Sequence, residues 1–378
     1  MSLRVSRPML GVERTLIRQI FDAAPRDAIQ LGLGQPDLPT PPAIALAGTR
    51  GIAEGRTAYT STAGDPELRA AIARRYPEFA RGPEAVAVTV GSQEALFATL
   101  LTLVDPGDEV LVPDPGYPAY PTVCHLVGAR AVGYPLREDR RFRLHAGDVL
   151  DRVTAATRAV VVCSPANPTG AIHADDELAA LAAGLGARGI PWVSDELYAG
   201  FAYDGGVPSL ARHAPEGGVV LSGLSKDLSM TGWRIGWAVA REPAITKIIA
   251  AHQYLVTCAP TVSQTAAIAA LGPAGDAARA AYLEIFRRRR EIMAHELARI
   301  PRVRFELPDG AFYFFVAVDG CTDSLALCRT ILEREKVVTI PGIAFGPGGE
   351  GYVRLSYAAP EDRIEQGVRA IGRVLRDA

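Results

Sequence analysis

One of the three lysines in the chain, Lys226, lies in the stretch SGLSKDLSMTGWRIG, among small and apolar residues and eight positions before Arg234. Lys and Arg together number 40, and lysine supplies only Lys226, Lys247 and Lys336. A chain that draws its positive charge from arginine has little use for lysine as ordinary surface charge. An amine can do what a guanidinium cannot: burial or a neighbouring charge can lower its pKa until it gives up its proton. Other chemically capable residues stand where apolar runs end. They are Asn167 in SPANPTG, Asp195 and Tyr198 in WVSDELY, and Arg354 in GYVRLSY. VGSQEALF places Gly91, Ser92 and Gln93 at a strand-to-helix junction, where backbone amides and the helix dipole attract an anion. Those three are also ordinary helix-start residues, and an arginine such as Arg354 also serves in surface ion pairs. Their meaning comes from being brought together.

The elements that would bring them together can be read from the apolar runs. Between Ala85 and Ala240, β-rich runs alternate with helical segments: Ala85–Val90, Glu109–Asp114, Ala129–Leu136, Arg158–Pro165, Ile190–Asp195, Gly218–Gly223 and Ile235–Ala240. Several are continuously apolar, as expected of strands covered on both faces. Apolar-periodic helices fit between them, for example Gln93–Val104 and Asp176–Gly186. This order predicts an α/β fold with a mostly parallel seven-stranded sheet and helices on both faces. Ligands of such sheets bind beyond the carboxyl ends of the strands, where the residues above would lie.

From about Pro273 the pattern changes to α+β. A long helix is expected over Ala277–Arg299, strands near Arg302–Glu306 and Phe312–Val318, and a helix near Ser324–Arg334. Strands at Val337–Ile340 and Gly351–Ser356 and a helix from Pro360 complete it. The expected division is a large domain at 41–280 and a small one at 281–378, with residues 1–40 packing on the small one. A cleft between the two domains is the default ligand site.

Composition narrows the function. A net charge of −2 and a pI near 6.3 give no basic excess to attract nucleic acid or an anionic membrane. MSLRVSRPMLGVERT lacks the apolar run of a signal peptide, and no stretch is long and apolar enough to span a bilayer. The odd number of cysteines, five, and the lack of a CxxC pair argue against a disulfide framework, so a reduced, cytoplasmic protein is expected. No phosphate loop of the GxxxxGK[ST] type occurs. GLGQPD at Gly32–Asp37 stops short of a dinucleotide fingerprint, and GLSKD at Gly223–Asp227 misses the nucleophile elbow at its last position. The histidines form no HExxH or close pair, so no metal site is expected.

The constellation resembles the aspartate-aminotransferase-like, class I/II pyridoxal-phosphate (PLP) aminotransferases of fold type I. The resemblance runs from LGLGQPDLPTP to YVRLSY, and SKDLSMTGWRIG is its most specific part. It implies that Lys226 holds the cofactor aldehyde as an internal aldimine and later moves a proton between substrate Cα and cofactor. It makes Asp195 the partner of the pyridine nitrogen, and Tyr198 and Asn167 the donors to the phenolic oxygen. Gly91, Ser92, Gln93 and Arg234 would hold the phosphate, with Ser222 and Ser225 as candidate hydroxyl donors. Tyr117 in PDPGYPAY would stack on the ring, and Tyr59 would reach the phosphate of the other subunit in a homodimer. Arg354 and the backbone of Gly34 would hold the substrate α-carboxylate, and Asn167 would also contact the substrate. The family pattern also suggests a cis Asn167–Pro168 bond.

The implied reaction is ping-pong transfer of an amino group from an L-amino acid to a 2-oxo acid, with glutamate/2-oxoglutarate as one expected pair. A C–S β-lyase on the same scaffold is the alternative. A ligand-sensing module of a transcription regulator would need a DNA-binding head, for which the sequence before the first helix offers little room. Two departures stand out. Gly223 occupies the position where many relatives place a serine, and Asp227 follows the lysine where an uncharged residue is commoner. We expect Asp227 to point away from the cofactor or to pair with an arginine.

Overall fold

The computed structural model describes residues 3–377. A two-residue strand, β1 (Ile29–Gln30), precedes the strands of a seven-stranded sheet. These are β2 (Val86–Thr89), β3 (Glu109–Asp114), β4 (Arg130–Pro135), β5 (Thr157–Cys163), β6 (Trp192–Asp195), β7 (Gly218–Gly223) and β8 (Gly236–Ala240). The order across the sheet is β2-β8-β7-β6-β5-β3-β4, all parallel except β8, which runs antiparallel to both β2 and β7. The seven predicted runs are these strands, with no end moved by more than two residues.

Side-chain alternation along the strands builds two apolar layers. On β5, Ala159, Val161 and Cys163 pack on one face with helices Ser92–Leu103, Ala119–Leu126 and Ala244–Val256. Val160 and Val162 pack on the other face with helices Asp175–Gly186 and Thr261–Ala270. Double coverage explains why these strands read as continuous rather than alternating hydrophobic runs.

A second sheet has the order β12-β13-β10-β9 and is antiparallel: β9 (Val303–Phe305), β10 (Tyr313–Val318), β12 (Ile340–Pro341) and β13 (Tyr352–Ser356). The single strand expected over Val337–Ile340 is divided instead. Its first half, β11 (Val337–Val338), pairs in parallel with β1, and after Thr339 the chain joins the four-stranded sheet as β12. The N-terminal segment thus pairs with residues far along the chain. A 25-residue helix, Pro273–Leu297, links the two halves, and helices Ser324–Glu335 and Glu361–Asp377 pack about the second sheet.

Among the described residues no helix is long and apolar enough to cross a membrane, and no cluster of His, Cys, Asp and Glu could hold a metal ion. All five cysteines are free.

Candidate active site

The carboxyl ends of β5, β6 and β7 open onto a cavity of about 240 Å³, closed from the other side by β10, β13 and the loop around Gly34. Asp195, the last residue of β6, lies at its floor and is 9% exposed. The Tyr120 hydroxyl donates to Asp195 Oδ2 at 2.8 Å, and the Leu197 amide donates to Oδ1 at 3.2 Å. Burial raises the Asp195 pKa, partly offset by these donors and by the positive charge of Lys226. A buried carboxylate in this position is stabilised by a cationic partner entering the cavity.

Lys226 follows β7 and reaches into the same cavity, where its Nζ donates to the Gly34 carbonyl at 2.6 Å. Its pKa is lowered from 10.5 to about 8, first by burial, then by the positive charges of Arg354 and Arg234. Near neutral pH such an amine keeps a usable fraction of its free base, which a solvated lysine does not.

Arg354, on β13, is 2% exposed. Its Nη1 donates to Asn167 Oδ1 at 2.9 Å and its Nη2 to the Gly32 carbonyl at 2.6 Å. The guanidinium carbon lies 4.2 Å from the centroid of the Tyr313 ring and 4.8 Å from that of Phe345. Its Nε has no partner. Buried among aromatics with a free donor and no facing carboxylate, it is set up to receive an anion.

At the opposite end, Gly91 caps the helix Ser92–Leu103 with φ of 80°. A Cβ built at Gly91 would stand 2.7 Å from the Arg234 guanidinium, so only glycine leaves that group room against the helix start. Ser92, Gln93, Ser225 and Arg234 line the cavity there. Tyr117 lies beside them and its hydroxyl donates to Gln93 Oε1 at 3.1 Å. The Asn167–Pro168 bond is cis.

These residues fit PLP on two structural counts. The Gly91–Arg234 cradle offers amides and a cation to a phosphate, and the buried Asp195 carboxylate calls for a protonated ring nitrogen. Lys226 stands in the same cavity for the aldehyde.

One expected cofactor residue, Ser222, is placed elsewhere. Ser222 is one strand position from Leu221, so alternation turns it to the opposite face of the sheet. There its hydroxyl donates to the Glu196 carbonyl at 3.2 Å and faces a separate hollow, so it is not a cavity residue. Tyr59 is 86% exposed and does not line this chain's cavity. Asp227 points away from the cavity and pairs with Arg279 (Nε to Oδ2, 2.5 Å), as either form of its expectation allowed.

Two residues not singled out in the sequence belong to the site. Tyr120 holds Asp195, and the Tyr313 hydroxyl lies 2.7 Å from that of Tyr198. The available signal was the hydroxyl itself: a tyrosine inside a Phe-rich run such as FYFF, or after a strand end, must find a polar partner when buried.

The parallel sheet, the cavity at its carboxyl edge and the lysine–aspartate–arginine set define a PLP enzyme of fold type I. The family model for aminotransferase class I and II matches residues 26–371, and the chain belongs to that family. It is 35% identical to an aspartate aminotransferase of Pyrococcus horikoshii, covering 98% of this chain and 97% of that one. It is 36% identical to a probable aspartate/prephenate aminotransferase of Aquifex aeolicus over 93% of this chain and 92% of the other. A solved aminotransferase from Mycobacterium tuberculosis superposes with a TM-score of 0.93 at 33% identity, covering all of both chains. The protein is thus an aminotransferase, and PLP is its cofactor.

Proposed function

We propose that the protein transfers an amino group between an L-amino acid and a 2-oxo acid by alternating half-reactions, with glutamate/2-oxoglutarate as one pair. The observation that carries this reading is the convergence of three groups on one cavity. They are an amine whose pKa is lowered to about 8, a buried carboxylate and a buried guanidinium with an unused donor. When bound, PLP supplies the electron-withdrawing ring that makes the Cα proton of the substrate removable.

The protein's own residues do the rest. Arg354 receives the α-carboxylate through a charge-assisted pair, each such hydrogen bond contributing about 1.5–3 kcal/mol. The backbone of Gly34 contacts the same carboxylate from across the cleft. Asp195 would accept the N–H of a bound PLP ring and keep it protonated, while Tyr120 holds the carboxylate in line. Tyr198 and Asn167 would donate to the phenolic oxygen of a bound PLP, and Tyr117 would cover its ring. Gly91, Ser92, Gln93, Ser225 and Arg234 bind the phosphate. Lys226, as a free amine, would carry the proton at the substrate Cα.

Residues 1–40 and 281–378 form the part that closes over 41–280 when the carboxylate arrives, excluding water from the cavity. Tyr59, exposed on a single chain, completes the phosphate site of a second copy in a homodimer.

A half-reaction panel tests this function. The yellow holoenzyme should bleach with its amino donor and recover its colour with a 2-oxo acid, 2-oxoglutarate included. Release of ammonia and pyruvate from cysteine-type substrates, without that cycle, would instead make the protein a lyase.

A further inference from the structure

Asp227, the unusual residue after Lys226, has a partner that the amino-transfer chemistry does not use. The Arg279 Nε donates to Asp227 Oδ2 at 2.5 Å, and both side chains are almost wholly buried, 13% and 11% exposed. Arg279 is further fixed by Asp276 Oδ1 at 2.8 Å and by the Ala270 carbonyl at 3.0 Å. It belongs to the helix Pro273–Leu297. Ten residues along that helix, Arg289 makes two hydrogen bonds to the Asp37 carboxylate, at 2.6 and 2.9 Å. Asp37 ends the short loop that begins at Gly34, whose carbonyl accepts the hydrogen bond from Lys226. One helix therefore grips the chain immediately after the lysine and also the loop that meets its amine.

We propose that Asp227 and Arg279 are a positioning pair that fixes Lys226 in register with the Gly34 loop, the two charges cancelling so that the lysine is held in place without being recharged. The proposal rests on the assignment of Lys226 as the reacting amine. Its physical content is the opposition of neighbours. Lys226 faces Asp195, Arg234, Arg354 and Tyr198 in the front cavity, while Asp227 faces Arg279 in a rear hollow with Glu196, Arg75 and Tyr76. An isolated Asp227 carboxylate would favour the ammonium form of Lys226, and an isolated Arg279 would oppose it. Arg279 also holds Asp276, which pairs with Arg75 at 2.8 Å, so the rear cluster of two carboxylates and two guanidiniums is balanced only while Asp227 and Arg279 are both present or both removed. A buried ion pair broken on one side leaves an uncompensated charge, so single substitutions expose what the pair hides.

The lysine count makes the test direct. With three lysines in the chain, incorporation of lysine carrying 13C at Cε gives three resonances, and the full-length protein without cofactor can be titrated at Lys226 by NMR. Lys226→Arg assigns the resonance. Asp227→Asn should lower the Lys226 pKa and Arg279→Gln should raise it, each by about half to one pH unit at an effective dielectric near 20. The double variant should return it to the original value.

In the holoenzymes all three variants should lose about tenfold in kcat with KM changed less than about threefold, while Asp227→Glu recovers part of the loss. A purely structural pair gives a different pattern: loosening the loop admits water to Lys226 and raises its pKa in every variant. That result, or an unmoved resonance with unchanged kcat, overturns the proposal. The outcome is separate from the role of Lys226 itself, which fails only if Lys226→Ala keeps full activity.

Discussion

Two pairs of consecutive residues, Asp195–Glu196 and Lys226–Asp227, divide their side chains between two cavities. Asp195 and Lys226 enter the front cavity, and Glu196 and Asp227 enter a rear hollow of about 240 Å³ on the other side. The chemistry of the two spaces differs more than their size. In the rear, Glu196 Oε1 accepts from the Ser194 hydroxyl at 2.9 Å and from the Ser209 hydroxyl at 2.5 Å, and Asp227 is bound by Arg279. In front, Lys226 and Asp195 form no direct ion pair, Lys226 settles for a backbone carbonyl, and Arg354 keeps one N–H idle. The rear carboxylates are answered from within the fold, although Asp227 Oδ1 is left without a partner. The groups that do chemistry are left for something that arrives.

If this contrast holds, substitutions in front should change rates and substitution of Glu196 behind should change stability. The Asp227–Arg279 pair would be the one rear group that reaches kcat, through the position of Lys226. The largest effect is expected for Lys226→Ala, which should lower kcat by about 10²–10⁴-fold or more while far-UV circular dichroism stays unchanged. Arg354→Lys should come next. It keeps the charge but loses the two-toothed geometry, so kcat/KM should fall by roughly 10–100-fold, mainly through KM, in the second half-reaction as well as the first.

Glu196→Gln should have the smallest effect, and it should be on stability. Burial raises the Glu196 pKa from 4.5 to about 7. Between those values the folded protein holds a proton that the unfolded chain has released. The native state is therefore favoured most at low pH, and that contribution is lost as pH rises through about 7. A glutamine, always neutral, can still accept from Ser194 and Ser209. Its Tm should gain on the unsubstituted protein as pH rises from 4.5 to 7, by an amount on the order of 2–4 °C, with kcat little altered. A large kcat loss here, or none at Lys226, would erase the distinction between the two cavities.

The front cavity was the more legible of the two in the sequence. Asp195, Lys226 and Asn167 follow apolar runs whose composition marks them as central strands, so their place at the carboxyl edge followed from the α/β order. What escaped depended on which face a residue takes. The resemblance makes Ser222 a candidate hydroxyl donor to the phosphate, yet strand alternation sends it to the rear with Glu196. Tyr120 and Tyr313 lie in a helix and in an aromatic strand, where a tyrosine reads as core. Their hydroxyls become functional only through contacts spanning 75 and 115 residues of sequence. Thr339 gave no sign that Val337–Ile340 divides between two sheets, because both halves are equally apolar and buried.

The clasp of Arg354 between the Tyr313 and Phe345 rings has a consequence for handedness. A guanidinium flanked by two rings has little freedom to turn, so an incoming carboxylate meets an edge of fixed direction. On the proposed function, a carboxylate docked at Arg354 and a substrate nitrogen near Lys226 would set two of the four bonds at Cα. A third must present hydrogen to the lysine, and the mirror-image substrate would offer its side chain there instead. If Arg354 and Lys226 act as proposed, enantiomer choice would follow from the two together, an arginine held between two rings and a lysine held at one place.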